Sequence, residues 1–313
     1  MAVALIGFAA VVARRIGLLI ALLAVVFVVV DLLPGNAARA VLGRDASPEQ
    51  IAAKERELGL DRPLPERFRE WFGGAVTGDF GTTARGQSVN ELLAAKFPQT
   101  LLLASIAMLV TMILALLLGV WWAARPTGFA ARALQPGSAF VIAVPEFVVA
   151  TLLVLVFSLW LDWLPAVTFT DRVGYPADPD MLILPVLALA IPQTGWNLRV
   201  VRGAVADAAS APHVESAVLN GLPERAVLVR HILPFALPTV AMSFATSVGT
   251  LFGGALVVET IFNYPGMGAL VAGSVSDRDT ALVAAVVAVT GTTIMGILLV
   301  ADAIRAWANR GRA

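Results

Sequence analysis

The residues with the widest chemical reach lie close together. His213 and His231 are the only histidines, and Ser216 sits between them in the polar stretch Pro212–Pro238. A hydroxyl activated by an imidazole is the minimum for nucleophilic catalysis, and two imidazoles are part of a zinc site. Neither chemistry is completed by the neighbours. Nothing at this spacing presents a base to Ser216, structural zinc takes about four ligands, and the chain has no cysteine. Neither Lys54 nor Lys96 follows a glycine, so no GxxxxGK[ST] phosphate loop exists and the chain binds no ATP by one. No catalytic residue, metal ligand or cofactor of its own is expected. What remains is a set of polar or small residues inside apolar runs, Glu146, Gln193, Asn197, Gly249 and Gly253, which are the candidate pore-lining residues.

Composition says what must position them. Of 313 residues 58 % are hydrophobic and 14 % charged, against about 25 % charged in soluble domains. The formal charge is zero, so no basic field points to nucleic acid. Apolar runs at 16–33, 100–124, 139–161, 181–198, 235–258 and 280–304 approach the bilayer-crossing length. The expectation is an all-α polytopic membrane protein of six transmembrane helices. Segment 1–15 precedes the first span as a cytoplasmic or interfacial piece, and 34–99 forms a small helical extracytoplasmic region. Segment 199–234 is a loop between spans four and five, and 305–313 is a tail. A rival reading of the N-terminus is a cleaved signal peptide with Ala38-Arg39-Ala40 as its site. The apolar run of 18 residues exceeds the usual signal core of about 7–15, which favours a retained span.

Within 34–99, Ser47-Pro48-Glu49-Gln50 reads as a capping box opening a helix that stops at Gly59. Leu64, Phe68, Trp71, Phe72 and Ala75 follow helical spacing, as an interfacial helix or as the surface helix of a small lid. Ser88–Glu91 is a second capping box, and Pro98 is expected to end its short helix.

Orientation follows from Lys and Arg in the short loops. With the N-terminus inside, the inner segments hold Arg14, Arg15, Arg125, Arg132, Arg199, Arg202, Arg225, Arg230, Arg305, Arg310 and Arg312. The short outer loops hold only Arg172 and Arg278. Segment 34–99 is longer than about 60 residues and does not count. Both termini and the Pro212 loop therefore face the cytoplasm.

Glu146 follows Pro145 early in the third span, either lining a water-filled path or snorkelling to the interface. Gln193, Thr194 and Asn197 read chiefly as interhelical hydrogen bonders. Gly249 and Gly253 form a GxxxG, continued by Gly254 and Ala255, whose default use is helix packing, with a bare-backbone pore wall as the alternative. Asp302 and Arg305 can pair on one helix face.

The Pro212 loop reads as two short helices meeting at Gly221, the second opened by Leu222-Pro223-Glu224. Glu215-Ser216-Ala217, Gly221 and Leu233-Pro234 resemble the EAA motif of ABC importer permeases. His231, and the pair Arg199 and Arg202 eleven residues ahead of His213-Val214, resemble the dipeptide/oligopeptide branch. Leu32–Asn36 is similar to its LLPGD, Leu58–Pro63 to LGLDRP, and Gly78–Thr82 to GDFGxS. Glu259–Phe262 with Pro265–Gly268 and Arg278-Asp279 is similar to its ExIFxxPGxG…RD. The loop departs from that branch at His213, usually Tyr, and at Glu215, Val218 and Asn220, where basic residues are usual. The tail Ala306–Ala313 lacks its Asp-Pro-Arg ending.

The resemblance implies a type I importer permease fold. It implies a second homologous permease, two ATPase subunits that use ATP and Mg, and a periplasmic or lipid-anchored solute-binding protein, in a bacterial inner membrane with its lipid. It makes Ala211, Pro212, His213, Val214, Glu215, Ser216, Ala217, Gly221, Leu222, Pro223, Glu224 and Arg225 the ATPase-coupling loop. Peptides are the implied cargo, with glutathione or nickel complexes as alternatives in the same branch. Two other classes compete: a secondary transporter or channel that needs no ATP, weakened by the lack of a visible internal repeat, and a membrane-embedded enzyme, weakened because Glu146 stands alone.

Overall fold

The computed structural model describes residues 2–33, 37–43 and 45–309. The Pro34–Asn36 part of the LLPGD-like turn and the tail residues Arg310 and Arg312 lie outside them, as does the side chain of Arg305 and hence its pairing with Asp302. In chain order the helices are α1 (Ala2–Asp31), α2 (Ala37–Leu42), α3 (Pro48–Glu57), α4 (Leu64–Thr77), α5 (Val89–Ala124), α6 (Phe129–Ala143) and α7 (Glu146–Leu153), the last continued by a π-helical turn Val154–Trp160. There follow α8 (Asp180–Ala209), α9 (Pro212–Leu219), α10 (Glu224–Val227) with a π-helical turn Leu228–Ile232, α11 (Leu233–Ile261), α12 (Met267–Ser276) and α13 (Thr280–Asn309). Among the described residues the only strand-like pairings are two isolated bridges, Thr82 with Ser88 and Thr170 with Pro176.

Among the described residues five helices are long and apolar enough to cross a membrane, and a sixth span results if α6 and α7 count as one. That third span is not the continuous helix expected over 139–161. It begins at Phe129 and bends by 103° between Ala143 and Glu146. Pro145 is the cause. Its ring drives Val144 out of the helical region, to φ −89° and ψ 120°, and it offers no N–H to continue the ladder. Pro98 behaves oppositely: α5 passes through it unbroken. Gln99 and Thr100 beside it are buried and Thr100 Oγ1 accepts from the Met267 N–H, so tertiary contacts hold the helix where the proline removes one hydrogen bond. Segment 1–15 likewise has no boundary of its own, because α1 runs continuously from Ala2 to Asp31.

The described chain forms two compact units. One comprises Met1–Thr100 with Pro265–Met295. Here Ser47 accepts from the Gln50 N–H while the Gln50 side chain accepts from the Ser47 N–H, a complete capping box. Helix α4 lays Phe68 and Trp71 on Phe27 of α1, with centroids 5.5 and 5.7 Å apart. Arg67 reaches Asp31 at 2.8 Å, which gives the one acidic residue of the first apolar run a partner. Gly291 lets α13 meet α1 closely, since a Cβ there would stand 2.6 Å from Leu19 Cδ1. Asp279 caps α13 by accepting from the Leu282 N–H at 3.0 Å, and its other oxygen accepts from the Ala84 N–H at 2.6 Å. Burial pushes its carboxyl up despite these bonds.

Arg85 clasps Asp277 through two bonds of 2.8 and 2.9 Å. The hydrogen bond from Arg85 holds the Asp277 carboxyl below the usual aspartate value. A depressed folded pKa adds stability that is complete above the unfolded value and disappears as pH falls through the folded one. The thermal midpoint of Asp277→Asn is therefore expected to fall less than that of the native chain as pH drops from 6 towards 3. Parallel acid profiles would show that the clasp contributes nothing in solution.

The second unit comprises Leu101–Tyr264 with Gly296–Ala313. Helix α8 is its centre and is largely buried, whereas α1 in the other unit is mostly exposed. Leu184, Leu189, Leu251, Val258, Phe262 and Tyr264 form one core. Ala115, Val201, Val205, Val240 and Phe244 form another. Gly119 of α5 permits this packing, because a Cβ there would come within 2.7 Å of Val201.

Candidate functional site

The loop between α8 and α11 is built by local rules. Ala211 is extended (ψ 145°), Pro212 occupies the first position of α9, and Glu215 lies in its first turn, the favoured placements at a helix N-terminus. The helix ends in a Schellman turn: Gly221 N–H donates to Val218 O at 2.9 Å and Leu222 N–H to Ala217 O at 3.3 Å. Gly221 takes φ +76°, a left-handed value that glycine adopts without strain. Pro223 is extended at the N-cap of α10, with Glu224 and Arg225 as its first residues.

One face of α9 holds the loop together. Val214 and Ala217 are buried with Val227, and Ile232 packs on them. His213 Nε2 lies 2.9 Å from the His231 carbonyl oxygen, and its ring sits 4.2 Å from that of Phe235. Ser216 Oγ donates to Pro212 O at 3.1 Å. The hydroxyl and the imidazole are thus each turned to backbone rather than to one another. Among the described residues no group of His, Cys, Asp or Glu could hold a metal.

The other face is open. Glu215, Ser216 and Leu222 are exposed, Val218 is 57 % exposed and Leu219 80 %. Leu219 and Val218 escaped the motif-based reading. The signal was present in the spacing of Val214, Ala217 and Leu219, which at about 100° per residue sets Leu219 opposite the buried pair, with Val218 at the edge of that pair's face.

Behind the loop, α8 and α11 are joined by a buried polar clasp. Asn197, fully buried, donates to Ser247 Oγ at 2.8 Å and to Gln193 O at 2.9 Å, and its Oδ1 accepts from Ser243 Oγ at 2.7 Å. Gln193 is buried beside it. Interhelical bonds of this kind contribute about 0.6 kcal/mol on average and up to about 1.7 in membranes. Asn197→Ala is expected to cost about 1–3 kcal/mol, read as a lower thermal midpoint of the detergent-purified chain. An unchanged midpoint would remove the clasp from the list of stabilising contacts.

Glu146 stands at the first position of α7, directly after the break. Its Cγ and Cδ lie 3.4 Å from where a Cβ on Gly254 of α11 would be, and Leu189 Cδ2 lies 3.2 Å from that point. The close helix approach in α11 therefore falls on Gly254. A Cβ on Gly253 would meet nothing within 4 Å, and Gly249 is half-buried. Thr246, Thr250, Gly253, Val257 and Thr260 are all exposed, on one side of α11 at helical spacing. Each threonine hydroxyl donates to a carbonyl of its own helix.

Comparison with known proteins adds the family. A family model described as the inner membrane component of binding-protein-dependent transport systems matches residues 115–313, and the model for the N-terminal part of such components matches 8–104. The chain belongs to this family. It is 31 % identical over 295 residues to a probable peptide ABC transporter permease of Sinorhizobium fredii, covering 92 % of this chain and 94 % of that one. It is 32 % identical over 300 residues to the glutathione transport system permease protein GsiC of Salmonella choleraesuis, covering 95 % and 96 %. It is 33 % identical over 282 residues to the oligopeptide transport system permease protein OppB of Mycobacterium tuberculosis, covering 85 % and 86 %. A solved chain of the MetNI methionine ABC transporter, in an inward-facing conformation, aligns with a TM-score of 0.51 at 15 % identity, over 69 % of this chain and 96 % of that one.

The helical architecture is thus that of a type I ABC importer permease. The chain is a multi-pass inner membrane permease subunit and not an enzyme. ATP hydrolysis belongs to separate ATPase subunits, and the family works with solute-binding proteins.

Proposed function

We propose that this permease imports peptides or related small solutes, glutathione among them, and forms half of a translocation path completed by a second homologous permease. Two ATPase subunits that bind ATP and Mg sit on the side of the loop 211–225, one of them taking α9 in a groove. A periplasmic or lipid-anchored binding protein delivers the solute to the opposite face, and both termini share the cytoplasmic side with the loop. The observation that carries this reading is the two-faced α9. Val214 and Ala217 tie it to its own chain, and an exposed Leu219 lies beside Glu215 on the other side. An apolar side chain ringed by polar ones is what a partner groove takes as an anchor. On α11, the face carrying Thr246, Thr250 and Gly253 is the path wall. ATP and the loaded binding protein then act as two ligands of one conformational equilibrium.

The test is reconstitution of the complex with its ATPases, partner permease and binding protein in vesicles. Uptake of radiolabelled peptides should require ATP, the binding protein and all subunits. Uptake by this chain alone, without ATP, would establish the secondary-transporter alternative.

A further inference from the structure

Helices α5, α6 and α8 enclose a groove of ≈ 850 Å³ within the second unit, inside the ~300–1,000 Å³ span of small-molecule sites. Its walls are mostly apolar, with Trp121 and Phe129 among them, and it opens outward where Leu117 and Phe129 are 65 % and 89 % exposed. At one end the character changes. Arg125 lies one turn beyond Trp121, its N–H donating to the Trp121 carbonyl. Arg132 lies one turn beyond the lining residue Phe129, and Arg202 one turn beyond Leu198. No acidic residue occurs in 101–145 or 181–206, and among the described residues none of these three arginines has a carboxylate partner. Arg202 is pinned by Trp122, with Cζ 4.6 Å from the ring centroid, and its buried Nε has no acceptor.

We propose that this groove binds an anionic phospholipid, with an acyl chain along the apolar walls and the phosphate at Arg125, Arg132 and Arg202. Each half of the arrangement is incomplete alone. An apolar groove between spans takes a hydrocarbon occupant rather than water, and the guanidinium groups beside its end have no carboxylate among the described residues to pair with. A molecule with a hydrocarbon chain and an anionic head completes both at once, and basic pockets between spans are known hosts for such heads. The chemistry also separates the charge from the general excess of arginine in inner loops, because those arginines need no apolar groove beside them.

The test uses the full chain in mild detergent, with native mass spectrometry of phosphatidylglycerol and phosphatidylcholine bearing the same acyl chains. Phosphatidylglycerol should bind about tenfold more tightly or better, given the attraction of even one or two basic residues for an anionic head. Arg132→Gln with Arg202→Gln should bring it to the phosphatidylcholine level and leave phosphatidylcholine unchanged. Arg125→Gln with Arg132→Gln, both exposed, provides the same test should the stacked Arg202 prove necessary for folding. Gly137→Leu fills the groove, because a Cβ there meets nothing within 4 Å. It should weaken both lipids while the thermal midpoint holds. Equal affinity for the two lipids in the native chain, or a preference that survives these variants, overturns the site. So does occupation by protein. The chain has no native cysteine, so Leu134→Cys cross-linking to the second permease in the assembled complex, at a yield indifferent to phosphatidylglycerol, would put a helix where the lipid is proposed. None of these readouts requires transport, so they stand or fall apart from the importer reading.

Discussion

Leu219→Asp should abolish ATP-dependent uptake and release the ATPase subunits on purification, while the chain itself stays folded and inserted. Leu219 is 80 % exposed, so the substitution removes little contact within the chain. At an interface, loss of a central apolar anchor costs about 2 kcal/mol or more, equivalent to roughly a thirtyfold weaker complex. A carboxylate buried there adds a desolvation cost. Glu215→Arg, also exposed, should act in the same direction by reversing a charge beside that anchor. Gly221→Pro reaches the same end by a different route. Proline fixes φ near −65°, whereas the turn requires +76°, and the variant also loses the N–H that donates to Val218. The Schellman turn must then rebuild, and α9 presents its outer face in another direction. Val214→Ala is the contrast. It thins the inner cluster and should lower stability before it affects association. If Leu219→Asp retains both uptake and ATPase co-purification, α9 is not the lever.

Much of this was readable from residue order because the constraints are local. Apolar runs of bilayer length identify spans whatever their neighbours do. The box at Ser47, the Ser88 hydroxyl that accepts from the Glu91 N–H and the glycine at 221 are set by residues within a few positions of each other. The loop's motif spacing survives for the same reason. What could not be read depends on neighbours. Pro145 breaks the third span and Pro98 leaves α5 intact, although both are prolines in apolar surroundings. Pro98 lies where Gln99 and Thr100 are buried, and Thr100 Oγ1 accepts from the Met267 N–H at 2.9 Å, so tertiary contacts hold the helix there. Asp31 ends an apolar run, and the Arg67 that pairs with it lies 36 positions away, beyond the reach of local patterning. The loop's inner and outer faces are implicit in the spacing of Val214, Ala217 and Leu219, yet only the position of Val227 shows which face is the inner one. The GxxxG at Gly249 and Gly253 named the right helix, but periodicity does not say which neighbour a small residue meets.

That last ambiguity yields a sharp experiment on two adjacent residues. Gly253→Phe should block uptake by more than about tenfold while thermal stability and co-purification of the ATPases are retained. Its side chain starts into open space from the side of α11 that carries Thr246 and Thr250, and it replaces a glycine inside a helix, which local propensity favours. Gly254→Phe should fail by a different mechanism. Its Cβ starts 3.2 Å from Leu189 and 3.4 Å from Glu146, in a contact where α7, α8 and α11 converge, and overpacking of that kind costs about 1–3 kcal/mol or more. The expected signs are a lower thermal midpoint and reduced yield, with transport lost as a consequence. A Gly253→Phe permease that transports normally would remove this side of α11 from the path. One that loses the second permease on purification would instead make Gly253 part of the contact between the two halves. Single-turnover ATPase assays separate blockage from uncoupling. A blocked path leaves ATP hydrolysis responsive to the loaded binding protein, because the lever at α9 is untouched, whereas a variant defective in coupling loses that response even where the path is open.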